Sequence, residues 1–255
     1  MSYETVKVKI QDTIVYIEID RPLDNNTINS QLITDFDEIL SNCEQLATVV
    51  VISGSPEVFC FGADFKALAA TSAQTNGHLE RPDPLYDIWL RLAAGPFVTV
   101  SHVRGKVNAG GVGFVAASDI VLADNTASFS LSELLFGLFP AMVLPFLIRR
   151  IGFQRAHYLT LMTQPISAER AYEWGLVDAI DVQSEALLRR HLLRLRRLSR
   201  PAIQSYKTYI NSIHGSLADL KRPAIAANIE MFSDARNLNA IARFVEHGTF
   251  PWEAR

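Results

Sequence analysis

Two glycine-bearing turns and one acid in an apolar setting are the residues of this chain best suited to chemistry. The first turn is Phe61-Gly62-Ala63-Asp64 and the second is Asn108-Ala109-Gly110-Gly111. Each feeds a helical pattern, the second through the small-residue run Gly113 to Ala117. A turn at a helix start directs free backbone N–H groups outward at the positive end of the helix. Such a place can hold a developing negative charge. Two N–H groups, from Ala63 and Gly110, converging on one oxygen would serve an enolate or a tetrahedral oxyanion. Spacing alone does not establish that they converge. Glu133 is the acid, set between Leu131 and Leu134-Leu135. Apolar neighbours raise a carboxyl pKa and make a general base usable near neutrality. The competing reading is a salt-bridged or helix-start glutamate beside Ser132.

Other residues carry weaker readings. Asp64 directly follows the first turn, where it can cap the helix start or contact a substrate. Asn108 can be a plain turn residue or a polar contact in a pocket. Tyr86 and Trp89 lie on one helical stretch, where core packing competes with pocket lining. His102 sits on a strand between Ser101 and Val103 and reads as a hydrogen-bonded core histidine. The six histidines are dispersed and the two cysteines, Cys43 and Cys60, are unpaired, so no metal-ligand spacing is present. No phosphate-binding or dinucleotide glycine fingerprint occurs between a strand and a helix.

The elements that must position these groups can be read from periodicity. Thr5 to Ile10 and Ile14 to Ile19 alternate and flank Gln11-Asp12-Thr13, which predicts a hairpin. Asn29 or Ser30 can cap a helix whose stripe is Leu32, Ile33, Phe36, Ile39 and Leu40. Thr48 to Ile52 reads as a buried strand, ended by Gly54-Ser55-Pro56. Ala70 to Asp83 lacks periodicity and reads as a mobile loop over a site. Leu85 to Leu92 is helical in pattern, and Val98 to Val103 and Ile120 to Ala123 read as strands. Helices are expected over Pro140 to Ile151, Arg155 to Met162 and Ser167 to Trp174. From Glu185 the pattern is helical, with leucines on one face and Arg189, Arg190, Arg194, Arg196 and Arg197 on the other. Strand and helix alternate in the first two thirds and helices alone follow, so the chain reads as α/β with a core over 1–185 and a helical region over 186–255.

Composition bounds the partners. A hydrophobic fraction of 49% and a charged fraction of 20% fit a globular protein, and a net charge of −3 gives no basic field for nucleic acid. No apolar run reaches the length of a membrane span, and the N-terminus lacks the apolar core of a signal peptide. With two dispersed cysteines, a reducing cytoplasm is the expected compartment.

The segments Phe59 to Lys66 and Val103 to Gly111, continuing to Ser118-Asp119, resemble the two oxyanion-hole motifs of the crotonase superfamily, the enoyl-CoA hydratases and isomerases. Asp20-Arg21-Pro22 with Asn29, and Ala168 to Val177, resemble further family segments. The resemblance covers nearly the whole chain. It implies a spiral of repeated β-β-α units, a C-terminal helical region used in trimerisation, and an acyl thioester held by its pantetheine arm. It carries the oxyanion N–H groups to Ala63 and Gly110 and one catalytic glutamate to Glu133. The second glutamate of the hydratases falls on Gly113, so that acid is missing.

The runs Val58 to Phe65, Ser101 to Gly111 and Ser128 to Gly137 resemble one subgroup more closely, the dehydrating hydratase homologues of polyketide β-branching cassettes. The likeness implies water loss from a 3-hydroxy-3-methylglutaryl group on the phosphopantetheine of acyl carrier protein, giving 3-methylglutaconyl-carrier protein with no further cofactor. Asp64, Tyr86 and Asn108 are then candidates to contact the distal carboxylate or the leaving hydroxyl. Arg189 and Arg194 are candidates for docking an acidic carrier. Trimers, or trimers paired into hexamers, are both open. The rival readings are a hydratase or isomerase on free CoA esters, the decarboxylase of the same cassette, and a non-catalytic docking scaffold.

Overall fold

A computed structural model describes residues 3–68 and 82–253. The hairpin forms as β1 (Val6–Gln11) and β2 (Ile14–Ile19), with Asp12 in the left-handed conformation at its turn. Then follow α1 (Ser30–Leu46), β3 (Val49–Ser53), β4 (Val58–Cys60), helical backbone at 65–68 and α2 (Asp83–Ala94). The central segment contains β5 (Val98–Val103), β6 (Lys106–Asn108), α3 (Gly110–Ala117), β7 (Ile120–Ala123) and β8 (Ser128–Ser130). After a one-turn 3-10 helix at Glu133–Phe136 come α4 (Leu144–Ile151), α5 (Phe153–Met162), β9 (Ile166–Ser167), α6 (Ala168–Glu173) and β10 (Ala179–Ile180). Four helices finish the chain: α7 (Ser184–Leu195), α8 (Arg200–His214), α9 (Lys221–Ser233) and α10 (Ala235–His247).

The strands form two sheets. The larger has the order β1-β2-β3-β5-β7-β10 and is parallel from β2 onward. The smaller has the order β4-β6-β8-β9, with its first three strands parallel and β9 antiparallel to β8. Parallel sheets need both faces covered, and β3 shows why this one qualifies. Val50 and Ile52 face a core that includes Leu32, Phe36 and Leu40 of α1 and Val112 and Val115 of α3. Val49 and Val51 face the other way, onto Leu187, Leu188 and Leu192 of α7 and Ile203 of α8. The helical region from residue 186 thus shares a core with the sheet. A buried pair reinforces the join, since Lys207 Nζ of α8 donates to Asp119 Oδ2 at 2.8 Å and to the carbonyls of Leu92 and Phe97.

Local details follow the sequence with two differences. Asn29 is the cap of α1, its side chain accepting from Leu32 N at 2.9 Å. The helix expected from Pro140 begins at Leu144 instead. Residues 141–143 form a turn in which the Pro140 carbonyl accepts from Val143 N and Leu144 N. The loop expected over Ala70 to Asp83 falls on residues 69–81, outside the described residues, except for its last two positions; Asp83 is the first residue of α2. His102 is buried and shares a 2.9 Å hydrogen bond with Ser184 Oγ, as expected of a core histidine.

Candidate active site

The three parallel strands of the smaller sheet share one carboxyl edge, where parallel sheets present loops to ligands. Within three residues of that edge the chain reaches Ala63 from β4, Gly110 from β6 and Glu133 from β8. The first turn is locked onto the start of α1. Ile28 N donates to the Gly62 carbonyl at 2.7 Å and the Ile28 carbonyl accepts from Asp64 N at 3.0 Å. Ala63 lies between these two bonds, so its own N–H points to the opposite side.

That side holds the second turn. Gly62 has φ +89°, and a Cβ there would lie 2.7 Å from Ala109 Cβ and 3.3 Å from Gly110 N. Only glycine permits both the left-handed backbone and this approach. Gly110 opens α3, and its N–H is one of those without an intrahelical acceptor. Ala109 before it holds φ 50° and ψ −123°, a conformation costly for a residue with a Cβ, on the order of 1–3 kcal/mol. Gly111 packs so tightly on β4 that a Cβ would sit 2.2 Å from the Cys60 carbonyl oxygen. These approaches bring the start of α3, with the Gly110 amide, against the first turn beside Ala63.

Glu133 is the first residue of the 3-10 turn, which Gly137 closes with φ +78°. Its Oε2 is buried and meets no hydrogen-bond partner among the described residues. Burial pushes its pKa up from an ordinary 4.5 to about 7, against the opposing pull of its own backbone N–H. A carboxyl so placed can take a proton near neutrality and return it.

The other expected site residues have partners inside the protein. Asp64 Oδ2 accepts from Arg21 Nη2 at 2.9 Å, and its Oδ1 accepts from Ala67 N at 3.0 Å. Burial raises the Asp64 pKa, but the Ala67 N–H and the Arg21 guanidinium outweigh it and hold the carboxyl below its usual range. Arg21 also donates to the Thr27 carbonyl, so it ties the first turn to the residues before α1. Tyr86 is fully buried and its hydroxyl donates to the Leu217 carbonyl at 2.9 Å; burial lifts its pKa to about 12. Asn108 Nδ2 donates to Ser132 Oγ and its Oδ1 accepts from Ser130 Oγ, each at 2.8 Å. Asp64 and Asn108 therefore brace the two turns from within the protein, while Tyr86 ties α2 to the segment before α9. Arg189 and Arg194 are exposed on α7, on the Val49 and Val51 face of the larger sheet, away from the face that packs with α3.

Two relationships were not read from the sequence. Ser130 and Ser132 bracket Leu131 in a polar-apolar alternation that marks a strand end, and that alternation was the available signal. Gly113 lies under the indole of Trp89, where a Cβ would meet Trp89 Cζ2 at 2.3 Å and Cε2 at 2.6 Å.

A model of the enoyl-CoA hydratase/isomerase family matches residues 9–255. The chain belongs to that family. Among curated relatives it is 56% identical over 254 residues to the bacillaene synthase dehydratase PksH of Bacillus subtilis, covering 99% of this chain and 98% of the relative. The Bacillus subtilis pksH crystal structure, described as a polyketide biosynthesis enoyl-CoA hydratase, superposes with a TM-score of 0.96 at 55% identity over 98% of this chain and all of that one. An enoyl-CoA hydratase from Bacillus halodurans shares the fold, with a TM-score of 0.85 at 21% identity over 94% of this chain and 99% of its own. The fold is thus the crotonase α/β fold implied by the two turn motifs. At Gly113, where the resemblance implies the absence of a second glutamate, Trp89 fills the space a side chain would take.

Proposed function

We propose that this enzyme is a hydro-lyase that removes water from a 3-hydroxy-3-methylglutaryl thioester carried on the phosphopantetheine of acyl carrier protein, giving the 3-methylglutaconyl thioester. The observation that carries this reading is 56% identity, over nearly the full length of both chains, to a dehydratase of a polyketide synthase. The thioester oxygen accepts from the amides of Ala63 and Gly110, which makes the C2 proton removable by stabilising the enolate. A preorganised donor of this kind lowers the barrier by about 3–4 kcal/mol. Glu133 takes the C2 proton. The C3–O bond breaks, C2 and C3 become doubly bonded, and the same carboxyl returns the proton to the departing hydroxyl as water. One acid suffices when both events occur on one face. Asp64 and Asn108 brace the two turns from within the protein, and the exposed Arg189 and Arg194 of α7 are available to dock the acidic carrier protein.

The same reading includes self-association. Tyr206, Tyr209 and Ile213 of α8 are exposed apolar side chains, and a trimer would show three times the chain mass in light scattering. The chemistry is tested by mass spectrometry of the 3-hydroxy-3-methylglutaryl carrier after incubation. Loss of one water is expected. Loss of carbon dioxide, or turnover only on the free CoA ester, overturns the reading.

A further inference from the structure

A chain of aromatic rings joins the first turn to the Glu133 turn and continues into the C-terminal segment. Phe65 stands two residues after Ala63, and its ring meets Phe136 edge-on, with centroids 5.4 Å apart and planes at 84°. Phe136 is buried and stands three residues after Glu133. It also meets Phe244 at 5.0 Å and Phe250 at 5.9 Å, and Phe250 stacks on Trp252 at 4.5 Å. These separations are those of direct ring contact.

The backbone ties each ring of the Phe65–Phe136 pair to a reacting group. Glu133 opens and Phe136 ends the same 3-10 helix, and the Glu133 carbonyl accepts from Gly137 N and Leu138 N just beyond it. Phe136 therefore cannot shift without moving Glu133. Asp64, between Ala63 and Phe65, is fixed by its N–H to the Ile28 carbonyl and by its side chain to Ala67 N and Arg21. Phe65 is thereby tied to the turn that carries the Ala63 amide. The contact of the two rings is a direct bridge between that turn and the acid's turn.

The C-terminal chain closes on this bridge. Asn237, Ile241 and Phe244 have the i, i+4, i+7 spacing of one face of α10. A Cβ on Gly137 would lie 2.4 Å from Asn237 Oδ1, Ile241 shares a buried cluster with Phe136, and Phe244 touches the Phe136 ring. Gly248, with φ +67°, ends the helix, and Phe250 then reaches Phe136.

We infer that Phe136 is a positioning residue: held by Phe65 and by Phe244 and Phe250, it fixes Glu133 relative to the Ala63 amide, so the C-terminal segment serves the reaction as well as the fold. This rests on the dehydration proposed above, in which an amide holds charge and a carboxyl moves the proton on one substrate. Misplacing one such group relative to the other costs rate.

The test uses Phe65→Leu and Phe250→Leu, which keep an apolar side chain and each remove one ring from Phe136, with Phe65→Tyr as the variant that keeps the ring. Two rates are measured on the 3-hydroxy-3-methylglutaryl carrier, at a temperature where circular dichroism shows every variant folded: water loss, and exchange of the C2 hydrogen with deuterated solvent. In both Leu variants kcat for water loss should fall about 10-fold or more with KM within about twofold of wild type. C2 exchange should fall by the same factor, and Phe65→Tyr should keep the wild-type rates. Folded Leu variants with wild-type kcat, or with a raised KM alone, overturn the inference and leave the proposed reaction standing. A wild type that exchanges the C2 hydrogen but releases no water removes the dehydration, while loss of that exchange in the Leu variants would still support the positioning role.

Discussion

Asn108 and Ser132 are joined by a 2.8 Å hydrogen bond that ties the turn before Gly110 to the segment that carries Glu133. Asn108 is the last residue of β6, two before Gly110, and Ser132 directly precedes Glu133. The same asparagine accepts from Ser130 Oγ, and Ala109 N donates to the Ser130 carbonyl at 3.0 Å. One side-chain amide therefore links the Gly110 turn to the Glu133 segment, the donor and the proton carrier of the proposed reaction. A displacement of either by a fraction of an ångström costs rate, because both must meet one substrate geometry.

Asn108→Ala removes both side-chain bonds and keeps the backbone ladder. Unfolding free energy should fall by about 1–3 kcal/mol, the range for stranding buried polar groups. Turnover should fall about 10- to 100-fold, with most of the change in kcat. Denaturant unfolding and steady-state kinetics measure the two. A variant with wild-type kcat and lowered stability would show that the bond holds the fold alone.

Glu133 gives a pH dependence with a definite sign. Its pKa is near 7 in the folded protein against an ordinary 4.5. Between those values the folded state binds more protons than the unfolded state, so stability falls as pH rises from about 4.5 through 7 and levels above. The span sets a ceiling of about 3 kcal/mol. Glu133→Gln has no such ionisation, and its stability relative to wild type should increase from pH 5 to pH 8. The same carboxyl must be ionised to take the C2 proton, so kcat/KM of the wild type should rise through about pH 7, while the Gln variant should fold and not turn over. Equal pH slopes for the two proteins, or a Gln variant with wild-type rate, would remove Glu133 from this role.

Much of this site was legible because its residues break local rules. Gly62 and Gly111 stand where a Cβ could not, and Glu133 is an acid among leucines. Such departures show in a sequence without knowledge of the contacts. The larger sheet was legible for a different reason. Its strands are β-branched runs such as Val49 to Ile52, long enough for a pattern. The smaller sheet was not, since β4, β6 and β8 have three residues each and no period can be read from three residues. Yet those three strands bring the site together. The partners of Asp64, Asn108 and Tyr86 were not legible for a related reason: a polar side chain near a site looks the same in sequence whether its partner is a ligand or a residue such as Arg21, Ser132 or Leu217.

Gly113 offers the sharpest steric test. Gly→Ala in a helix interior usually stabilises by about 0.5–1 kcal/mol, because it lowers the entropy of the unfolded chain. Here the new Cβ would lie 2.3 Å from Trp89 Cζ2, and the ring is wedged between Phe114 and Phe146. Overpacking of a rigid core group costs about 1–3 kcal/mol, so the steric term should win and Gly113→Ala should be destabilising. In a Trp89→Phe background the smaller ring vacates that space, and the same substitution should become neutral or stabilising. Denaturant unfolding of the four proteins of this cycle gives the coupling directly. A Gly113→Ala that stabilises the wild type would mean the indole does not fill the space beside Gly113.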